Sequence, residues 1–354
     1  MSAFDQMAEM GHEQVCFFRN DEVGLRAIIA VHNTALGPAL GGCRLFPYAT
    51  EQDALRDVLR LSRGMTYKAA MAGLDLGGGK AVIIGDPGIK SEALFRAFGR
   101  AVESLGGRYI TAEDMNTNVA DMSFIGRETK HVTGFDPAAG GSGDPSPVTA
   151  WGVFHGIRAT LEVVYGSPDV RGRKIAIQGC GNVGYYLASY LHEGGAQLVY
   201  TDINAARVER CTREFGGTVV EGEDFYGLDV DVLAPCAVGG IINKHTIPLL
   251  RAPIIAGGAN NILLDEQADG EALAVKNITY APDYVINAGG LINVYSELKH
   301  LPREKAMSDA ANIFSTVKRI INHAKAQGVT PVAASNALAE ARIASIGGLR
   351  AFHL

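Results

Sequence analysis

The sequence predicts a two-domain α/β protein, and three observations lead to this prediction. Its 354 residues suggest two domains of usual size. The turn Gly179–Gly184 stands between an apolar strand and a helix, which is typical of a parallel sheet covered by helices. Gly, Pro and Ser dominate residues 136–147, as in a linker. We therefore expect a first domain at 1–135, a hinge at 136–147, a second domain at 148–327, and a C-terminal helix in 328–354 that returns to the first domain.

Composition and charge argue against several classes of protein. Hydrophobic residues make up 47% of the chain and charged residues 20%, which is ordinary for a globular protein with a large core. The net charge of −6 argues against a nucleic-acid binder, because binding to phosphates needs a basic surface. The five cysteines are scattered without a C-x-x-C pair, so we expect reduced thiols and no structural metal. Since neither a signal peptide nor an apolar run of the ~20 residues that span a bilayer is evident, we expect a soluble cytoplasmic protein without membrane partners.

The first half of the chain alternates strands and helices. The predicted elements are a helix and the start of a strand in 1–19, a buried strand Leu25–Val31, a turn-rich loop Gly37–Arg44, a helix that Thr50 caps, a helix at 91–105 and a strand Arg108–Asp114. The loop either lines a pocket or reverses the chain. The helix after Thr50 carries an apolar stripe at helical spacing, formed by Ala54, Val58, Leu61 and Met65.

Two lysines flank a glycine-rich segment. Lys68 takes the next position of that apolar stripe, so its amine must extend to solvent or meet an anion. Lys80 follows Gly77-Gly78-Gly79 and precedes the apolar run Ala81–Ile84, which predicts a loop that a ligand can approach closely and then a buried strand. Burial there disfavours the ammonium, so Lys80 can act as a general base near neutral pH. The alternative is a flexible loop with a solvated lysine.

The carboxylates after the strand Arg108–Asp114 form a third candidate group. Ligands often lie at the C-terminal ends of strands in α/β sheets, so Asp114 or Glu113 is a candidate proton carrier. The alternative is that Asp114 caps a following helix at Asn116–Asp121. If Lys68 and Lys80 share one cleft, an anionic substrate group at Lys68 relieves the repulsion between the two amines.

The second half contains a dinucleotide-binding pattern in its required context. A buried strand, Lys174–Gln178, leads into Gly179-Cys180-Gly181-Asn182-Val183-Gly184 and a helix, and a second strand ends at Asp202, 23 positions after the first glycine. The glycines allow a pyrophosphate to approach the helix N-terminus. Asp202 would bind the adenosine ribose and repel a 2′-phosphate, which favours NAD over NADP. The alternative is a βαβ unit that binds no dinucleotide.

Further elements complete a doubly wound sheet of the Rossmann type. The predicted strands are Val219–Val220, Val230–Leu233, Ile254–Ala256 and Ile278–Tyr280, and the closing helices are Arg303–Gln327 and Pro331–Ser345. The loops that follow the strands are the expected place for a nicotinamide ring and its substrate. These loops are Ala234–Gly240, Gly257–Asn261 and Asn287–Asn293. Taken singly, each of their asparagines also fits a simple turn.

The chain resembles the Glu/Leu/Phe/Val amino-acid dehydrogenases, and within them most closely the leucine enzymes. The resemblance runs from about residue 10 to 345. It rests on the motifs Gly64–Lys68, Leu74–Pro87, Thr111–Asp114, Ala234–Cys236, Ala259–Asn261 and Pro282–Gly290. The resemblance implies an active-site cleft between a substrate-binding, oligomerisation domain and an NAD-binding domain. It also implies a homo-oligomer with a small-molecule substrate.

The resemblance also implies roles for individual residues. Lys80 and Asp114 would be catalytic, and Lys68 would bind the substrate carboxylate with help from Asn261. The remaining substrate-binding positions would be Gly41, Gly77, Leu40, Ala112, Leu291 and Val294. The glycine turn and Asp202 would bind the pyrophosphate and the adenosine ribose. The residues near the nicotinamide or its ribose would be Thr149, Cys236, Ala237, Asn260 and Asn287. No metal takes part.

The implied reaction is the reversible oxidative deamination of an L-amino acid to a 2-oxo acid, ammonium and NADH. The apolar pocket positions argue against glutamate, whose distal carboxylate needs a cation. Ala112 resembles the leucine branch, so leucine is expected, with isoleucine and valine, since one methylene is worth only ~1–3 kcal/mol. Leu291 and Asn116 resemble the phenylalanine and tryptophan enzymes, which are the alternative. A catalytically silent NAD-binding regulator is the alternative from another class.

Overall fold

The structure is a computed structural model that describes residues 2–136 and 141–348. It forms two compact units. The described residues of Met1–Gly143, Glu297–His300 and Ala339–Leu354 make up the first unit, and those of Asp144–Ser296 and Leu301–Leu338 make up the second. The predicted domain boundaries stay a prediction. Residues 137–140 of the predicted hinge and 349–354 of the predicted C-terminal segment lie outside the described residues.

The first unit contains a five-stranded mixed sheet with helices on both faces. Its elements up to residue 125 are α1 (Ala3–Met10), β1 (Gln14–Asn20), β2 (Leu25–Asn33), β3 (Ala39–Phe46), α2 (Glu51–Met71), β4 (Gly77–Ile84), α3 (Glu92–Glu103), β5 (Tyr109–Glu113) and α4 (Val119–Ile125). The strand order is β1-β2-β4-β3-β5. β2 runs antiparallel to β1 and β4, whereas β3 is parallel to β4 and β5. α2 packs on one face of the sheet and α3 and α4 on the other.

Two glycine-rich segments predicted as loops are strands instead. Residues Gly37–Arg44 lie largely in β3, and Gly77–Gly79 begin β4. A Cβ on Gly41 would lie 1.7 Å from the carbonyl oxygen of Gly79, and one on Gly78 would lie 2.1 Å from the backbone nitrogen of Thr66. The glycines are therefore required because neighbouring backbones approach so closely, and not because the chain is flexible there.

The helix α2 begins as predicted but buries a different stripe. The Thr50 hydroxyl accepts a hydrogen bond from the Asp53 backbone N–H at 3.1 Å, so the predicted cap is confirmed. Beyond Val58, the fully buried positions continue through Leu59, Ser62 and Thr66. Leu61, Met65 and Lys68 are only half-buried. The core side of α2 uses small residues there because Gly78 of β4 packs against Ser62 and Thr66.

The second unit contains six parallel strands in the order β11-β10-β9-β6-β7-β8. The chain winds outward from β6 in two directions, so the predicted doubly wound sheet is confirmed. Its elements begin with α5 (Ser146–Tyr165), β6 (Lys174–Gln178), α6 (Asn182–Glu193), β7 (Gln197–Thr201), α7 (Ala205–Phe215), β8 (Thr218–Val219) and β9 (Val232–Pro235). They continue with β10 (Ile254–Ile255), α8 (Glu266–Val275), β11 (Thr279–Tyr280), α9 (Asp283–Ile286) and α10 (Gly289–Leu298).

Three helices, and not two, close the chain. They are α11 (Arg303–Ala311), α12 (Ile313–Gln327) and α13 (Pro331–Gly347). The predicted single helix Arg303–Gln327 is interrupted at Asn312, a residue type with low helix propensity. The predicted end of this helix at Gln327 is confirmed, since Gly328 follows α12 in the left-handed conformation with φ 66°.

Two features are absent from the described residues, namely a membrane-spanning helix and a cluster of metal ligands. No helix in that part of the chain combines the length and the apolar character that a bilayer crossing requires. Within residues 2–136 and 141–348, no three His, Cys, Asp or Glu side chains are grouped in a way that could hold a metal ion.

Candidate active site

One face of the first sheet collects the predicted catalytic residues. Side chains alternate between the faces of a strand. Lys80 pairs directly with Ala30 of β2, which belongs to the apolar cluster beneath α2, so Lys80 lies on the α2 side of β4. Asp114 directly follows β5. Lys80 is only 5% exposed, so the alternative of a solvated lysine on a flexible loop is wrong.

The carboxylate of Asp114 accepts three hydrogen bonds. Its Oδ2 accepts a hydrogen bond from the Lys80 ammonium. Its Oδ1 accepts one from Arg44 Nε at 3.1 Å and one from the backbone N–H of Met115 at 2.6 Å. Asp114 does not cap the next helix, because Asn118 caps α4. The structure thus places Asp114 in a partly buried ion cluster and not at a helix end.

The electrostatics of this cluster keep Asp114 ionised. Burial by itself would raise the pKa of Asp114, because it disfavours a charge. The charge of Lys80 and its hydrogen bond, then the charge of Arg44 and the Met115 N–H, outweigh burial and lower that pKa to about 2. Asp114 is therefore a carboxylate throughout the neutral range and can accept a proton only when a donor is brought against it.

Two predicted substrate residues share the sheet face of this cluster, and a third lies on the helix that covers that face. Leu40 pairs with Gly78 across β3 and β4, and Ala112 pairs with Gly42 across β5 and β3. By strand alternation, Leu40 and Ala112 share the face of Lys80, and both are buried. Lys68 lies half-buried in the last turn of α2, which covers that face. The structure therefore places Lys80, Asp114, Leu40 and Ala112 on a single face of the sheet.

The two glycines predicted to contact substrate have clear packing roles. The carbonyl oxygen of Gly41 accepts a hydrogen bond from the Tyr109 hydroxyl at 2.5 Å. A Cβ on Gly77 would lie 2.0 Å from the carbonyl oxygen of Asn33. Contact of either glycine with substrate stays a prediction.

The sequence prediction missed Arg44 and its partners. Arg44 NH1 donates to Asp57 Oδ2 at 2.9 Å, and the Tyr48 hydroxyl donates to the same oxygen at 2.6 Å. The available signal was the alternation Leu40, Gly42, Arg44, which places all three on one face once the segment is recognised as a strand. Interpreting that segment as a loop concealed it.

In the second unit, the dinucleotide turn is shaped by two glycines. Gly179 has φ 93°, and a Cβ on it would lie 2.7 Å from the Cβ of Ala237. A Cβ on Gly184 would lie 1.8 Å from the carbonyl oxygen of Gly179. At Gly181, the residue before α6, a Cβ would meet no protein atom nearer than Arg207 Nη1 at 3.9 Å. No side chain caps α6, so its first N–H groups can serve an anion.

Asp202 is tied to that turn. Its Oδ2 accepts a hydrogen bond from the backbone N–H of Cys180 at 2.7 Å, and its Oδ1 accepts one from the Asn204 N–H at 2.8 Å. The carboxylate at the end of β7 is thus held beside the turn that follows β6. This is the placement that the spacing of the sequence predicted.

The remaining predicted cofactor residues follow other strands of the same sheet. Cys236 and Ala237 come after β9, and the backbone N–H of Cys236 donates to Gln178 O at 2.6 Å. The Asn287 amide nitrogen donates to Asn260 Oδ1 at 2.8 Å. In parallel sheets the carboxyl ends of all strands share one edge.

Four more predicted site residues lie in the second unit. The Thr149 hydroxyl on α5 donates to the Pro145 carbonyl at 3.0 Å. Asn261 is exposed and has φ 52°. Leu291 is buried and Val294 half-buried on α10. Nothing in these positions assigns a ligand to them, so their binding roles stay predictions.

Comparison with known proteins decides the family. A family model described as "Glu/Leu/Phe/Val dehydrogenase, dimerisation domain" matches residues 12–131. A second, described as "Glutamate/Leucine/Phenylalanine/Valine dehydrogenase", matches residues 140–208 and 201–347. The chain belongs to this family. The resemblance inferred from the sequence motifs is confirmed, and the protein is an amino-acid dehydrogenase, an oxidoreductase.

Relatives that are named for different substrates have similar sequence identity to this chain. A leucine dehydrogenase of Geobacillus stearothermophilus is 52% identical over 97% of this chain and 94% of the relative. An L-tryptophan dehydrogenase of Nostoc punctiforme is 52% identical over 97% of this chain and 96% of the relative. A valine dehydrogenase of Streptomyces virginiae is 49% identical over 94% of both chains.

Solved structures agree with the observed fold. The crystal structure of the L-tryptophan dehydrogenase from Nostoc punctiforme matches with a TM-score of 0.89 and 50% identity, covering 98% of this chain and 99% of that one. A glutamate dehydrogenase of Peptoniphilus asaccharolyticus matches with a TM-score of 0.78 at 22% identity, covering 99% of this chain and 97% of that one. The latter supports the fold alone.

Proposed function

We propose that this dehydrogenase catalyses the NAD-dependent, reversible oxidative deamination of branched-chain L-amino acids, with leucine preferred and isoleucine and valine also accepted. The products are the 2-oxo acid, ammonium and NADH. The observation that carries the proposal is the pair of buried Lys80 and partly buried Asp114, on the face that also holds Leu40 and Ala112. The similarity to enzymes named leucine dehydrogenase supports the choice of substrate.

The second unit fits NAD. The open space at Gly181, the uncapped start of α6 and the carboxylate of Asp202 suit a pyrophosphate and a ribose. Asp202 would accept hydrogen bonds from the ribose hydroxyls and repel a 2′-phosphate. When bound, the nicotinamide accepts the hydride that leaves the substrate carbon. We propose that Thr149, Cys236, Ala237, Asn260 and Asn287 hold its ring and ribose.

In the first unit, each charged residue receives one task. Lys68 would bind the substrate carboxylate, assisted by Asn261. As the neutral amine, Lys80 would take a proton from the water that attacks the imino carbon, with Asp114 beside it to accept the proton that its ammonium form gives up. Asp114 would pass protons to and from the substrate nitrogen. Leu40 and Ala112, with Leu291 and Val294, would contact the apolar side chain.

We further propose a cytoplasmic homo-oligomer. The family model that matches residues 12–131 describes a dimerisation domain. In the first unit, β1 is an edge strand whose Phe17 is 52% exposed, as expected for a surface that a second copy covers. All five cysteines are free, which suits a reducing compartment.

Measurement of kcat/KM for a panel of amino acids with NAD tests the proposal. We expect leucine, isoleucine and valine to differ from one another by roughly 10- to 200-fold at most, because each methylene contributes little in an apolar pocket. Glutamate should react far more slowly, because Leu40 and Ala112 offer its distal carboxylate no cation. Replacing NAD by NADP should lower kcat/KM.

Two outcomes would contradict this assignment in different ways. A higher kcat/KM for phenylalanine or tryptophan than for leucine would make the protein an aromatic amino-acid dehydrogenase, as one close relative is named. Tight NADH binding without turnover of any L-amino acid would instead indicate a silent NAD-binding regulator.

A further inference from the structure

We propose that Arg44 is a positioning residue for Asp114. It fixes one carboxylate oxygen so that the other stays directed at Lys80 and the substrate nitrogen. This inference rests on the proposed function, because it assigns Arg44 a part in the proton transfer that Asp114 performs there. Arg44 lies on β3, between β4, which carries Lys80, and β5, which Asp114 directly follows.

The hydrogen bonds divide the carboxylate of Asp114 into two unlike oxygens. Oδ1 receives Arg44 Nε at 3.1 Å and the Met115 N–H at 2.6 Å, whereas Oδ2 receives Lys80. Rotation of a carboxylate about its terminal torsion is soft and roughly two-fold, so without such contacts the two oxygens exchange. Two donors from different elements on Oδ1 hold that torsion and leave Oδ2 as the oxygen that moves protons.

The guanidinium of Arg44 is itself held at both ends. Its NH1 donates to Asp57 Oδ2 at 2.9 Å, while its Nε serves Asp114. The Tyr48 hydroxyl donates to the same Asp57 oxygen at 2.6 Å, and Arg60 NH2 donates to the other at 3.3 Å. The side chains of Arg44 and Asp57 are 19% and 17% exposed. The planar guanidinium of Arg44 bridges Asp57 of α2 and Asp114, which follows β5, and both carboxylates are partly buried, so it cannot turn freely.

This arrangement assigns the proton to one atom. In the deamination direction, the substrate ammonium gives a proton to Oδ2 of Asp114, so that an N–H bond breaks and an O–H bond forms without any change of oxidation state. The proton returns to the leaving ammonia by the reverse exchange. Arg44 touches neither substrate nor cofactor in this scheme and acts only by holding Asp114.

The test uses the full-length enzyme and three variants, Arg44→Met, Arg44→Lys and Arg60→Met. The readouts are kcat, KM for leucine, NADH affinity and the solvent isotope effect on kcat in D2O. For R44M we expect kcat to fall by about 10²-fold, the lower end of general acid–base contributions, with a larger solvent isotope effect than in wild type. KM and NADH affinity should stay within about twofold, since the loss falls on the chemical step.

The other two variants separate position from charge. R44K keeps the charge but cannot bridge two carboxylates, so its kcat should lie between those of R44M and wild type. Arg60 contacts Asp57 but not Asp114, and its side chain is 58% exposed, so R60M should behave as wild type in all four readouts.

Folded R44M or R44K with the wild-type kcat and isotope effect would overturn the inference. So would a kcat that falls only with the folded fraction seen by circular dichroism while the isotope effect is unchanged. If R44M does not fold, R44K alone decides by the same criteria. Failure of the proposed function looks different, because wild type itself would then not oxidise leucine with NAD.

Discussion

In the first unit, the candidate site consists of side chains: Lys80, Asp114, Arg44 and Asp57 meet as charges that neutralise one another. In the second unit, the candidate site consists of backbone and space, with an uncapped helix start and an open side at Gly181. Opposite kinds of substitution should therefore damage the two regions. Removing atoms damages the first, because a partner charge stays buried and unpaired. Adding atoms damages the second, because the ligand's space is filled.

The largest expected effect comes from Lys80→Ala. We expect kcat to fall by about 10³-fold or more, because the general base is lost and Asp114 loses a buried partner. NADH affinity, measured by fluorescence titration, should not change, because the residues proposed to bind NAD lie in the second unit.

Lys90→Ala is the matched control for this variant. Lys90 also pairs with a buried aspartate of the first unit, Asp121, but lies outside the proposed site. Its removal should lower stability and leave kcat near wild type. Normal NADH production by K80A would refute the assignment of Lys80 as the base.

An alanine pair in the dinucleotide turn sharpens the second half of the comparison. Gly184→Ala places a Cβ 1.8 Å from the carbonyl oxygen of Gly179, so the second unit should lose both stability and NADH affinity. Gly181→Ala meets no protein atom nearer than 3.9 Å, so stability should be kept while NADH binds about tenfold or more weakly. Thermal unfolding measures the stability of both variants, and NADH titration measures their affinity for NADH. Equal NADH affinity of G181A and wild type would show that no phosphate approaches there.

The last prediction concerns stability and not catalysis: the protein should lose stability in mild acid. His32 Nε2 donates to the Met10 carbonyl at 3.0 Å and its Nδ1 then accepts from the Thr66 hydroxyl at 2.8 Å. Burial lowers the pKa of His32 from 6.5 to about 4, and burial together with the charge of His32 lowers that of His12 to about 4 as well. Between about pH 4 and pH 6.5, these two histidines therefore bind more protons in the unfolded chain than in the folded protein. Stability is therefore full above about pH 6.5 and falls as the pH drops towards 4, by a few kcal/mol in all.

Urea unfolding at pH 7 and pH 5 measures this dependence. The double variant His12→Gln with His32→Gln should reduce the difference between the two pH values. Replacement of the exposed His245 by Gln should leave the difference unchanged. A wild-type midpoint that does not move between pH 7 and pH 5 would contradict the prediction.

The sequence by itself determined the elements whose signals are local. Strand β6, the glycine turn, α6, and β7 ending at Asp202 all follow from spacing along one stretch of chain, and the structure places them as expected. The buried face of α12 follows from helical periodicity in the same way. Hydrogen bonding within a helix, and burial on one side of it, repeat at fixed intervals, so a short window of sequence contains them.

Only the tertiary structure decided what the glycines near Lys80 are for and what holds Asp114. Gly41 and Gly78 are glycines because strands and a helix from distant parts of the chain approach within the space of one Cβ. Arg44 and Asp57 become partners because β3 lies between β4 and β5, with α2 packed against the sheet. Strand order depends on the packing of the whole sheet, so it cannot be predicted from the periodicity of a single segment.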